Sequence, residues 1–189
     1  MNLEILSASF FGNSLKEYLY FFTIIFIGLI FKKLLSKYLS NILYKIIGKK
    51  DNNVGIDKFD ELLTKPIGFF IILCFFYIGA SYLEFPSFVD EKFQNILAKL
   101  FSLIFIYAVF KIFIKVIDYI GLILKQRAAQ TDNKMDDQLI PFAIEIGRIL
   151  VVIFALFFVL GNVFNINITA LATGLGIGGI AIAMASKES

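Results

Sequence analysis

The sequence predicts an all-α chain that crosses a membrane about five times, and three observations predict it. Of its 189 residues 59% are hydrophobic and the mean hydropathy is +0.82, more apolar surface than a soluble domain of this size can hide. The apolar residues gather in long runs separated by charged stretches, so the bilayer is the solvent the chain is built for. The last run differs from the rest: the earlier ones are rich in Phe, but no aromatic residue occurs after Phe164.

In chain order, the first span covers about Leu15 to Phe31 and extends toward Leu35. The second follows Pro66, from Ile67 to Leu83, and the third covers Ile96 to Ile117. The fourth runs from Leu139 to Val163 and the fifth from Thr169 to Ser186. Pro66 and Pro141 are expected at helix starts, where a missing N–H costs nothing. Lysines crowd the loop between spans one and two (Lys32, Lys33, Lys37, Lys45, Lys49, Lys50, Lys58, Lys65). Lys111, Lys115, Lys125, Arg127 and Lys134 surround the loop between spans three and four, whereas the opposite side carries few cations. The positive-inside rule therefore places the N-terminus outside and the C-terminus in the cytoplasm.

Between Lys32 and Lys50, apolar pairs recur every four residues while Lys33, Lys37, Lys45 and Lys49 ride the other face. This is an amphipathic helix, expected on the inner membrane surface with its lysines near anionic headgroups; the alternative is a helix packed on protein outside the bilayer. Glu145 and Arg148 are three apart and can pair on one helix face, although snorkelling is the plainer expectation for charges this close to a span end. Lys99, Lys111 and Lys115 read as snorkelling anchors in the same way.

With no His and a single Cys, the chain excludes His-based zinc sites, His acid–base chemistry and an internal disulfide. Cys74 lies within an apolar run and reads as a small packing residue. No catalytic residue, cofactor site or metal site is predicted, and the segment Met1 to Gly12 lacks the basic start of a cleavable signal peptide. The net charge of +3 sits beside apolar segments, a pattern suited to lipid headgroups and not to nucleic acid.

The fifth span reads Thr169-Ala-Leu-Ala-Thr-Gly-Leu-Gly-Ile-Gly-Gly-Ile-Ala-Ile-Ala-Met-Ala-Ser186. Glycine is a poor helix former, and small residues in membrane helices allow neighbouring backbones to approach closely. At about 100° per residue, Thr173, Ile177, Ile180 and Met184 share one stripe. Ala170, Gly174, Gly178, Ala181 and Ala185 form one flank, and Ala172, Gly176, Gly179, Ala183 and Ser186 the other. Leu171, Leu175 and Ile182 make the back. Two smooth flanks beside an apolar stripe suit a helix repeated around a closed ring, each flank meeting the opposite flank of a neighbour. The stripe would then face the axis as a narrow apolar constriction. A tightly packed helix inside a monomeric bundle satisfies the same pattern.

The segment from Asn167 to Ser189, and above all its Gly-Leu-Gly-Ile-Gly-Gly-Ile-Ala core, resembles the pore helix of the small-conductance mechanosensitive channel (MscS-like) family. Leu139-Ile-Pro141 and the apolar span after it suit the same family, and five helices resemble its subgroup with two extra N-terminal ones. The resemblance implies a likeness in assembly as well: a homoheptamer in a bacterial inner membrane that passes ions and small solutes when tension opens it under hypo-osmotic stress. It places the gate at Ile180 and Met184, with Thr173 and Ile177 further along the pore lining. It packs Gly176, Gly179 and Ala183 of one helix against Ala181 and Ile177 of the next. Lys187-Glu188 departs from the Gln-Gly often found there, and the family's β-domain and cytoplasmic vestibule would lie beyond Ser189.

The expected organisation is a periplasmic segment (residues 1–14), peripheral helices with cytoplasmic loops (15–138), a fourth helix with its outer loop (139–168) and a truncated pore helix (169–189). Two other functions are weighed against a channel. A secondary transporter would need charged or polar pairs near the midplane and an inverted repeat, which five spans do not provide. A membrane anchor for a cytoplasmic domain would leave the two small flanks of the fifth span unexplained.

Overall fold

The structure, a computed structural model, describes residues 9–47, 56–86, 88–129 and 134–187. The expectations for residues 1–8, Lys49, Lys50, Glu188 and Ser189 lie outside the described residues. A two-residue hairpin, β1 (Ser9–Phe10) and β2 (Asn13–Ser14), leads into five helices: α1 (Leu15–Ile47), α2 (Ile56–Ala80), α3 (Glu91–Ala128), α4 (Lys134–Asn162) and α5 (Ile168–Lys187). All five are long and apolar enough to cross a membrane. The chain is the all-α, five-span subunit that the sequence predicts.

The first helix starts at a capping box. Glu17 reaches back so that its Oε2 accepts the Ser14 N–H at 2.6 Å, occupying one of the donors a helix start leaves free. The hairpin before it turns through Phe11 and Gly12, both with positive φ (50° and 88°), the backbone of a tight two-residue turn. Asn13, 3% exposed, ties this hairpin to the segment after α2. Its Nδ2 donates to the Glu84 carbonyl at 2.7 Å and its Oδ1 accepts the Glu84 N–H at 2.6 Å.

From there α1, α2, α3 and α4 run as an antiparallel meander, each packed on the next. Phe21 meets Phe76 near one end of the first pair, and Tyr44 meets Phe59 near the other. Close approach requires small residues at the crossings. A Cβ on Gly28 would lie 2.6 Å from Cγ of Phe75, and one on Gly121 would lie 2.5 Å from Cδ1 of Ile144.

The buried core sits at one end of this meander, where the last turns of α1, the first turns of α2 and the last turns of α3 converge. Phe59 and Leu63 of α2 and Tyr119 of α3 are fully buried, with Ile67, Ile71 and Ile123 beside them. The Phe59 and Tyr119 rings stand edge to face, centroids 4.6 Å apart. Leu35, Leu43, Tyr44 and Ile47 of α1 complete the cluster. Elsewhere large apolar side chains stay open, including Phe22, Phe26, Tyr77 and Phe154. With only a few polar side chains on these spans, that surface suits lipid and not water.

Two expectations are corrected here. Pro66 and Pro141 do not start helices; they lie inside α2 and α4. Each interior proline removes one backbone hydrogen bond, but the turns before Pro66 carry Phe59 and Leu63 into the core, and that burial keeps the helix going. The amphipathic stretch from Lys32 is likewise no separate helix. It continues α1 to Ile47, with Ser36 and Ser40 buried against α2, so one face is packed on protein.

Candidate functional site

The fifth helix is positioned by the turn before it. Asn165 adopts a left-handed conformation (φ 55°), which ends α4, and the Ile166 N–H returns to the Leu160 carbonyl at 3.0 Å. Asn167 then caps α5: its Oδ1 accepts the Ala170 N–H at 3.1 Å. Ile168 closes the corner by packing on Gly161, where any larger side chain would collide with it. Within α5 two of the three hydroxyl side chains turn back onto their own helix: Thr173 Oγ1 donates to the Thr169 carbonyl and Ser186 Oγ to the Ile182 carbonyl.

Twenty residues at about 1.5 Å each make α5 about 30 Å long, the thickness of a hydrocarbon core. All the residues singled out from the sequence lie on this one helix. Thr173, Ile177, Ile180 and Met184 fall on one stripe; Gly174, Gly178, Ala181 and Ala185 lie to one side; Ala172, Gly176, Gly179 and Ala183 lie to the other. Every residue from Ala172 to Lys187 is exposed, Ile180 by 64% and Met184 by 67%.

The glycines separate α5 from the other helices. Those at Gly28, Gly79, Gly121 and Gly147 each have a neighbouring side chain within reach of a missing Cβ, whereas around Gly174, Gly176, Gly178 and Gly179 nothing lies within 4 Å. The glycines of α1 to α4 are thus accounted for by packing within the chain, and among the described residues those of α5 are not. Lys187 is the one charged side chain on α5, so the capacity of this helix is one of packing and of presenting an apolar surface.

The helix that carries α5 is held by charge. Asp118 of α3 accepts Arg148 of α4 twice on Oδ1, from Nε at 2.9 Å and Nη2 at 2.6 Å, and accepts Lys115 Nζ on Oδ2 at 2.8 Å. Glu145 adds a looser contact to Arg148 Nη1 at 3.3 Å. The pairing of Glu145 with Arg148 is therefore present but secondary, and Lys115 is an ion-pair partner and not a lone anchor. Lys111 lies 5.2 Å from the centre of the Tyr107 ring. Sequence reading missed Asp118; the signal was a lone acid three residues after a lysine in an apolar run.

The geometry defines an all-α chain with five helices long and apolar enough to cross a membrane, the last of them small-flanked and with few neighbours among the described residues. Known proteins sharpen the class. The chain is 28% identical over 193 residues to a protein of Methanocaldococcus jannaschii named small-conductance mechanosensitive channel MscMJ, covering all of this chain and 51% of that protein. It is 29% identical over 169 residues to that organism's large-conductance mechanosensitive channel MscMJLR, covering 86% of this chain and 45% of the relative. It is 22% identical over 169 residues to the uncharacterized MscS family protein YhdY of Bacillus subtilis, covering 88% and 43% respectively. The chain spans about half the length of these relatives. No protein-family profile and no solved structure matches it. The resemblance to the MscS-like family, read first from the end of the chain, extends over most of its length.

Proposed function

We propose that the chain is the membrane part of a mechanosensitive ion channel of the MscS-like family, with α5 lining the pore of a homo-oligomer. The observation that carries this reading is the similarity, over 86% of the chain in one case and all of it in the other, to two proteins named as mechanosensitive channels. The open glycines of α5 support it, because copies of the same helix would supply the neighbours that the described residues do not. A heptamer in a bacterial inner membrane, N-terminus outside, is the arrangement adopted here.

In this reading Ile180 and Met184 form stacked apolar rings that close the pore by dewetting, with Thr173 and Ile177 lining it nearer the outside. Tension favours whichever conformation occupies more membrane area, and that difference drives opening. Tilting of α1 to α4 is passed to α5 through the Asp118–Arg148 link and the short turn at Asn165. The Gly and Ala flanks let adjacent α5 helices slide with little steric resistance, the rings part, and ions and small solutes leave the cell under hypo-osmotic stress. Patch-clamp recording tests this. Met184→Ser makes the constriction polar and is expected to lower the opening tension or produce a resting leak; an unchanged threshold with no leak would remove Met184 from the gate.

A further inference from the structure

The second half of α1 carries more surface than its packing uses. Ser36 and Ser40 turn toward α2, Ser40 Oγ donating to Asp60 Oδ1 at 2.5 Å, and Leu43, Tyr44 and Ile47 join the core. Another face stays open. Every fourth residue from Phe22 to Ile46 forms one unbroken exposed apolar row, with Leu34 70%, Tyr38 64% and Ile46 75% exposed. Lys33, Lys37 and Lys45 make a parallel row, each one residue before a member of the apolar row, and all three are exposed.

No ion pair among the described residues balances this charge. From Tyr18 to Lys50 the sequence holds six lysines and no acidic residue. Among the described residues no ion pair involves Lys32, Lys33, Lys37 or Lys45. On α2, Asp60 accepts the Ser40 hydroxyl and Glu61 pairs with Lys58, and among the described residues Asp57 forms no ion pair with these lysines. At about 1.5 Å per residue the 33-residue α1 is about 50 Å long, well beyond a hydrocarbon core of about 30 Å.

We propose that the face formed by Lys33, Lys37 and Lys45 with Leu34, Tyr38 and Ile46 is a binding surface for anionic phospholipid headgroups where α1 leaves the hydrocarbon core. The apolar row is continuous with the part of α1 that faces lipid, so the same bilayer covers both. The lysine stems lie along it while their ammonium groups reach the phosphates. Charge complementarity selects the anionic headgroup, and the interleaved Leu, Tyr and Ile select a membrane over a soluble polyanion. The surface requires a bilayer but not a conducting pore, so it stands or falls separately from the channel reading.

The chain has no tryptophan, so Tyr38→Trp installs a single reporter at the centre of this face. The full chain carrying it is reconstituted in phosphatidylcholine vesicles containing either brominated phosphatidylglycerol or brominated phosphatidylcholine at equal mole fraction. Quenching is expected to show a several-fold preference for phosphatidylglycerol at low salt. That preference should fall toward unity in high salt and in the K33Q/K37Q/K45Q variant. A Tyr20→Trp reporter at the opposite end of α1 should show no such preference. Equal quenching by the two lipids at Tyr38→Trp would overturn the selectivity for anionic headgroups. Quenching by neither would show that protein covers the row, and would overturn the proposal altogether.

Discussion

Asn13 and Asp118 show how single polar side chains fix a structure that is otherwise greasy. Asn13 satisfies the backbone of Glu84 in both directions across 71 residues, so Asn13→Ala removes two hydrogen bonds and leaves a partly buried N–H without its acceptor. At about 1 kcal/mol per bond plus the unmet donor, the expected loss is about 2 kcal/mol, measured as a lower unfolding temperature in detergent and faster proteolysis before Leu15. Asp118 is the hub of its cluster, with its side chain 15% exposed against 64% for Glu145. Asp118→Ala should therefore cost about 1–3 kcal/mol, whereas Glu145→Gln should stay within about 0.5 kcal/mol in the same assay. The Lys115–Asp118 half of this cluster left a signal that was passed over, the three-residue spacing that places both on one helix face. The Arg148 half left none, because apolar periodicity does not set the register between two helices, and Arg148 lies 30 residues from Asp118 on the next one.

At the scale of elements, the spans were legible because each is an apolar run long enough to cross a bilayer. Their ends were not. Helices α1, α2 and α3 continue past the apolar runs into stretches that look like loops or surface helices by charge, yet bury Tyr44, Phe59, Leu63 and Tyr119 together. A proline at residue 66 reads as a boundary from sequence, but tertiary burial of the preceding turns overrides it. Leu63→Ala, in the fully buried centre of that cluster, should cost about 2–5 kcal/mol through lost contacts and the cavity left behind, read from detergent unfolding. Glycines give a second element-scale contrast. Gly28→Ala drives a methyl into the base of the Phe75 side chain and should loosen α1 from α2 by about 1–3 kcal/mol. Gly178→Ala meets nothing in its own chain, so it should leave subunit stability within about 0.5 kcal/mol of the parent and change only assembly or gating.

At the scale of the whole molecule, the last helix makes sense only with other molecules around it. The sequence pattern named its stripe and flanks, and the fold places them on one continuous helix whose glycines meet no neighbour within 4 Å among the described residues. Which neighbours they meet is suggested only by the resemblance, because a repeated small-residue flank fits a ring of copies and a foreign helix equally well. Helices α1 to α3 are held to one another by the Tyr44–Phe59–Tyr119 cluster, the hairpin is tied to the end of α2 by Asn13, and α4 is tied to α3 by Arg148 and Asp118. They can therefore move as a unit, with α5 attached through its outer turn.

The most direct measurement is cysteine cross-linking on α5 in membranes, in a Cys74→Ser background. With Gly176→Cys on one flank and Ala181→Cys on the other, a ring of copies predicts a ladder of disulfide-linked species ending at one closed number of subunits, seven in the arrangement adopted here. The back-face pair Leu175→Cys and Ile182→Cys should give none. Monomer alone from the flank pair, or equal cross-linking from the back-face pair, would contradict a ring built on the two small flanks.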